Sequence, residues 1–191
     1  MTLPKRRTWQ SILALVLWSL GLSMIDTTGC ASEEATMSLT LSSSAFTEGT
    51  AIPALYTCEG NDTSLPLAWT DPPAGTKSLA LISDDPDAPG KTWVHWVLYN
   101  VPPSARMLPA GFPTTQELPD GIRQGMTDFG RPGYGGPCPP SGTHRYYFKL
   151  YALDTMLSLP PGATKAQVES AMNGHILARA QLMGTYRRAG R

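Results

Sequence analysis

The sequence predicts a mainly β, β-rich α+β domain with helix only late in the chain, and three observations carry that prediction. Gly and Pro each occur 18 times in 191 residues, while charged residues make up only 16%. That balance suits a loop-rich β protein better than a helical bundle. The stretch HRYYFKLYALD alternates cleanly, with Tyr146, Phe148, Leu150 and Ala152 on one face and Tyr147, Lys149, Tyr151 and Leu153 on the other. Only after SLPPG does a helical period appear, opened by Thr164 and Gln167 at capping-box spacing. At this length one domain is expected.

The N-terminus stands apart. Lys5, Arg6 and Arg7 precede an apolar stretch of about 15 residues from Ser11 to Ile25, shorter than the ~20 of a spanning helix and typical of an export signal. TTGCAS follows, and its small residues before Cys30 resemble a bacterial lipobox, with Thr27 where such sites usually carry an aliphatic residue. Residues 1–30 are therefore read as a signal and lipobox region that makes Cys30 a lipidated N-terminus in the cell envelope. Ordinary cleavage after Ala31, giving a periplasmic or secreted protein, and a retained anchor are the alternatives. Residues 31–36 form a polar tether, and the domain runs from 37 to 191.

Within the domain, MSLTLSS from Met37 alternates as a strand, and AIPALYTCEGNDTSLPLAW reads as an irregular packed loop entering a short strand. TKSLALISDD is a strand with Leu79, Leu81 and Ser83 on one face. DPDAPG breaks it and TWVHWVLYN begins another. From Val101 to Gly142 there is little periodicity, and loops that long are usually functional. After Thr164, the residues Val168, Met172, Ile176, Leu177 and Met183 can share a helical stripe, with an interruption at Gly174. Export leaves an odd cysteine count to explain. If Cys30 carries lipid, Cys58 and Cys138 remain as a disulfide pair, or else as two buried thiols.

The formal net charge is zero, with no block of like charges, so nucleic acid is not an expected partner. Alternation on TWVHWVLYN puts His95 on a face with Trp93, Val97 and Tyr99. Asp85 and Asp87, in the turn before it, are its candidate partners. His144 starts its own strand after GYGGPCPPSGT. If these strand starts meet at one end of a sheet, two histidines, two aspartates and a Gly-rich loop converge on a cleft. Successive backbone N–H groups there could cradle an anion, a carboxylate could hold a histidine charged, and Tyr134 or Tyr146 could add a hydroxyl. The same residues could ligate a metal, although no compact metal motif is present. Ser141 lacks the nucleophile elbow of a hydrolase. The alternatives are a rigid turn and a satisfied core histidine.

These blocks resemble the phosphatidylethanolamine-binding protein family, specifically its bacterial Raf-kinase-inhibitor-like branch. The blocks are YTCEGND, LAW, SLALISDDPDAPGKTWVHWVLYNVP, GYGGPCPPSGTHRYYFKLYALD and GHILARAQLMGTYRR, spanning Met37 to Arg188. The resemblance implies a large central antiparallel sheet, a smaller second sheet and peripheral C-terminal helices. It also implies an anion pocket for phosphate-bearing or phospholipid headgroup ligands, formed by Asp85, Asp87, His95, Gly136, Pro137, His144 and Tyr146. The chain departs from the family's pattern at Thr127, where an amide often precedes Asp128, and at Leu65, where a proline pair is common. The leading expectation is an exported, non-enzymatic binding protein with no cofactor, attached to the membrane through its lipid. An inhibitor or interaction protein of a protease or kinase is a second expectation, and a protein partner or a homodimer is the assembly expected beside the ligand. A metal-dependent or other hydrolase is a third.

Overall fold

The computed structural model describes residues 38–190. The signal and lipobox region, Cys30 and the tether fall outside the described residues. Eight strands are present: β1 (Leu41–Ser42), β2 (Leu67–Trp69), β3 (Ser78–Asp85), β4 (Trp93–Val101), β5 (Met107–Leu108), β6 (Arg123–Gln124), β7 (Thr143–Leu153) and β8 (Ile176–Arg187). One α-helix, α1 (Lys165–Met172), lies between β7 and β8. The strands form a five-stranded sheet ordered β6-β4-β3-β7-β8 and a three-stranded sheet ordered β1-β2-β5, antiparallel throughout. The expected large and small sheets are both there.

β3 is central and buried along its whole length, which is why it reads as a nearly continuous apolar run. Leu79 and Leu81 join Trp96, Leu98, Phe148 and Leu150 in the main core, shared with Leu41, Leu67 and Trp69 of the small sheet. Ala80 and Ile82 face the other way, towards Val168 and Met172 of α1. Each such side chain contributes roughly 1.5–3 kcal/mol on burial. Asp84 also faces α1, where Lys149 (2.8 Å) and Lys165 (2.6 Å) neutralise it, so a buried carboxylate ties the first residue of the helix to the sheet.

The capping box forms as expected, with Thr164 accepting from the Gln167 N–H. The helical stripe beyond Met172 does not. Gly174 adopts φ 81°, and Ile176 onwards pairs with β7 from Leu153 to Thr143. The late secondary structure is therefore one helix and a long strand. The strand's inward face is Ala178, Ala180, Leu182, Gly184 and Tyr186, and alanine and glycine carry little β signal. Pairing with β7 overrides the local 3.6-residue pattern.

Candidate functional site

The site is set by an irregularity in β4. Ser83 pairs with Trp96, yet Asp84 pairs with Val94, so His95 is the extra residue of a β-bulge. A bulge re-aims side chains and often lies beside a functional site. Here it moves His95 off the face predicted by alternation. Val94, Val97 and Tyr99 pack on the α1 side, whereas the His95 ring meets Tyr146 edge-on at 5.1 Å and Phe129 at 5.3 Å.

His95 is 4% exposed. Its Nδ1 lies 2.6 Å from the Gly135 carbonyl oxygen, and the Gly135 N–H donates back to the His95 carbonyl at 2.9 Å. A carbonyl can only accept, so Nδ1 carries the hydrogen. Burial pushes the imidazole pKa below its usual value, against the opposing pull of the Gly135 carbonyl and Asp85. Burial thus disfavours the charged form of the ring, while the Gly135 carbonyl and Asp85 favour it.

Of the two histidines Asp85 could orient, it hydrogen-bonds His144. His144 Nδ1 donates to Asp85 Oδ2 at 2.7 Å, and Asp85 Oδ1 accepts from the Asp87 N–H at 2.8 Å, which fixes the DPDAP turn as an Asx-type bend. Asp87 points elsewhere. It receives Nε and Nη2 of Arg145 at 2.9 and 2.6 Å. That guanidinium holds its carboxyl down to about 2.

A cavity of about 350 Å³ opens at this end of the sheet, with Asp85, His95 and Tyr146 as its polar wall. Trp93, Phe129, Pro139, Pro140 and the Ala88–Pro89 turn supply an apolar mouth, together with Cys138. His144 stands behind Asp85, stacked on Tyr146 at 6.5 Å. Tyr146 is 1% exposed, and its hydroxyl lies near Asp85 and the Cys138 backbone without a well-formed hydrogen bond to either. Burial and the nearby Asp85 charge push its phenol pKa well up. The other candidate hydroxyl, Tyr134, is already donated to the Tyr56 carbonyl.

Gly136 and Pro137 back the wall without lining it. The Gly136 N–H donates to Asp62 Oδ1 at 2.6 Å, so the amide expected to greet a ligand is already satisfied. The Pro137 carbonyl accepts from the Cys58 N–H at 3.2 Å. The Cys58–Cys138 disulfide, with Cα atoms 5.4 Å apart, closes the same junction. Where the family pattern has an amide, Thr127 caps its own turn by donating to the Arg131 carbonyl. Asp128 still accepts from the Val94 N–H and Lys91. Sequence reasoning missed Asp62, Trp93 and Phe129. Asp62 lies inside the YTCEGND block, which is the one signal that could have marked it. Among the described residues no group of three or more His, Cys, Asp or Glu is placed to hold a metal.

A family model described as phosphatidylethanolamine-binding protein matches residues 42–187. A UPF0098 protein of Methanothermobacter thermautotrophicus is 54% identical over 150 residues, covering 78% of this chain and 99% of its own length. One from Aquifex aeolicus is 53% identical over 149 residues, 76% of this chain and 86% of its own. The crystal structure of a putative phosphatidylethanolamine-binding protein homolog from Chlamydia trachomatis superimposes with a TM-score of 0.73 at 44% identity, covering 79% of this chain and 98% of that one. Escherichia coli YbcL, described as a new member of the mammalian family, gives 0.72 at 34% identity, with 78% and 98% covered.

Proposed function

This chain belongs to the phosphatidylethanolamine-binding protein family, and on that premise we propose that it is a non-enzymatic binding protein for phosphate-bearing ligands. The ligand is a phospholipid headgroup or a small phosphorylated molecule. The observation that carries the reading is the Tyr146 hydroxyl, buried in the cavity wall without a well-formed hydrogen bond. A buried donor left unmade costs about 1–3 kcal/mol, and a ligand oxygen that accepts from it recovers that loss. The apolar mouth suits the carbon skeleton next to a phosphate ester. Absence of catalysis is supported by the wall's chemistry. Cys138 is tied in a disulfide, the Tyr146 phenol is held protonated, and Ser141 lies exposed in the turn outside the lining.

Calorimetric titration with glycerophosphoethanolamine tests this. The wild-type chain binds, and Tyr146→Phe binds about tenfold or more weakly. The same variant is about as stable as the wild type, because the hydroxyl it removes makes no well-formed hydrogen bond. A folded phenylalanine variant with undiminished affinity removes the reading.

We also propose export, with Cys30 lipidated in the cell envelope. The basic start, the apolar stretch and the small residues before Cys30 support it. The intact mass of the membrane-purified chain reads it directly: a diacylglycerol adduct on Cys30 supports the anchor, and an unmodified chain beginning elsewhere excludes it.

A further inference from the structure

Among the described residues no Lys or Arg lines the cavity; its charged wall residue is the Asp85 carboxylate, and its imidazole is His95. Nδ1 of His95 is committed to the Gly135 carbonyl, so Nε2 is the only ring nitrogen left to meet a ligand. In the neutral ring Nε2 is a lone pair. A phosphate oxygen entering here finds the Tyr146 hydroxyl as its side-chain donor, and beside it an acceptor and a carboxylate, both repulsive to it. Nε2 joins Tyr146 as a donor when it holds a proton.

We infer that a phosphate ester anion binds in this cavity together with one proton, carried on His95 Nε2. The inference rests on the headgroup-binding reading above and adds to it the ionic form in which the ligand is held. In the free protein, burial opposes that proton. In the complex, the phosphate adds its negative charge to that of Asp85, already present beside the ring, and favours the proton.

The surrounding charges leave His95 as the group that responds. On β3, Asp85 is the carboxylate in the wall, while Asp84 faces α1 and is held by Lys149 and Lys165. In the flanking loops, Asp62 accepts from Gly136 and Arg131, and Asp128 accepts from Lys91. On β7, Tyr146 is held as the phenol, and His144 donates to Asp85 from behind the wall. The linkage sign follows. The complex binds more protons than its separated parts at neutral pH, so affinity rises as pH falls. It levels off once His95 of the free protein is itself protonated.

The probe is glycerophosphoethanolamine, a phosphodiester whose phosphate does not titrate near neutral pH. The full chain is titrated calorimetrically between about pH 6 and pH 8, in two buffers of different ionisation enthalpy. The expected result is uptake close to one proton per ligand, with affinity falling about tenfold per pH unit on the neutral side. His95→Gln keeps an amide donor that cannot titrate, and its binding loses both the uptake and the pH slope. His144→Gln retains both. The 15N shift of His95 Nε2 in the wild-type chain reports the same event without a variant, moving to the protonated value on ligand addition. Binding without proton uptake overturns the inference and leaves the headgroup reading standing. So does uptake that survives His95→Gln and disappears in His144→Gln. Absence of binding at every pH overturns both.

Discussion

Replacing Cys58 and Cys138 together by serine lowers the unfolding free energy by about 4 kcal/mol. The bridge spans 80 residues of sequence, and closing a loop of that length removes much of the unfolded chain's freedom. It is a large fraction of the 5–15 kcal/mol typical of a domain. The folded state survives the loss because the same junction keeps its hydrogen bonds. Gly136 still donates to Asp62, Cys58 N–H to Pro137 and Tyr134 to Tyr56. Chemical denaturation shows the midpoint shifting down without a new intermediate. Ligand affinity also falls, since Cys138 forms part of the cavity wall. A stability change below about 1 kcal/mol would mean that the bridge does not constrain the unfolded chain.

Gly136→Ala costs about 3 kcal/mol and disables the cavity. A Cβ at this position would lie 2.4 Å from the Tyr56 carbonyl oxygen and 2.7 Å from Asp62 Oδ1. One obstacle is backbone and the other is the acceptor of the residue's own N–H, so neither can yield without opening the wall. The neighbouring Gly135 carbonyl fixes the His95 tautomer, and displacing it disturbs the ring that faces the ligand. Thermal unfolding and headgroup titration of the variant read the two losses separately. Asp62→Ala provides the comparison, because it removes the hydrogen bond without adding bulk and costs about 1–2 kcal/mol. An alanine variant with wild-type stability would show that the close contact at Gly136 is not required.

Much of this arrangement is legible in the sequence, and the failures have specific causes. The two faces of β7 follow from strict alternation in HRYYFKLYALD, and the capping box of α1 follows from Thr164 and Gln167. Cys58 and Cys138, which the sequence leaves as a disulfide or two buried thiols, are bonded. His95 defeats alternation because a bulge adds one residue to one strand, and a period of two cannot register it. β8 reads as helix because Ala178, Ala180 and Gly184 occupy its inner face and leave the pattern without a β signature. Asp85 is expected to orient His95 or His144, and the structure selects His144, 59 residues away in sequence. The contact between Gly136 and Asp62 spans 74 residues, and no local pattern encodes it.

The most direct test of the headgroup cavity is a crystal structure of the full chain with glycerophosphoethanolamine. The predicted result is a phosphate between Asp85, His95 and Tyr146, with one oxygen accepting from the Tyr146 hydroxyl, a second bonded to His95 Nε2, and the glycerol carbons against Trp93 and Phe129. A ligand seated elsewhere on the molecule, with the Tyr146 hydroxyl still without a well-formed hydrogen bond, would contradict the account.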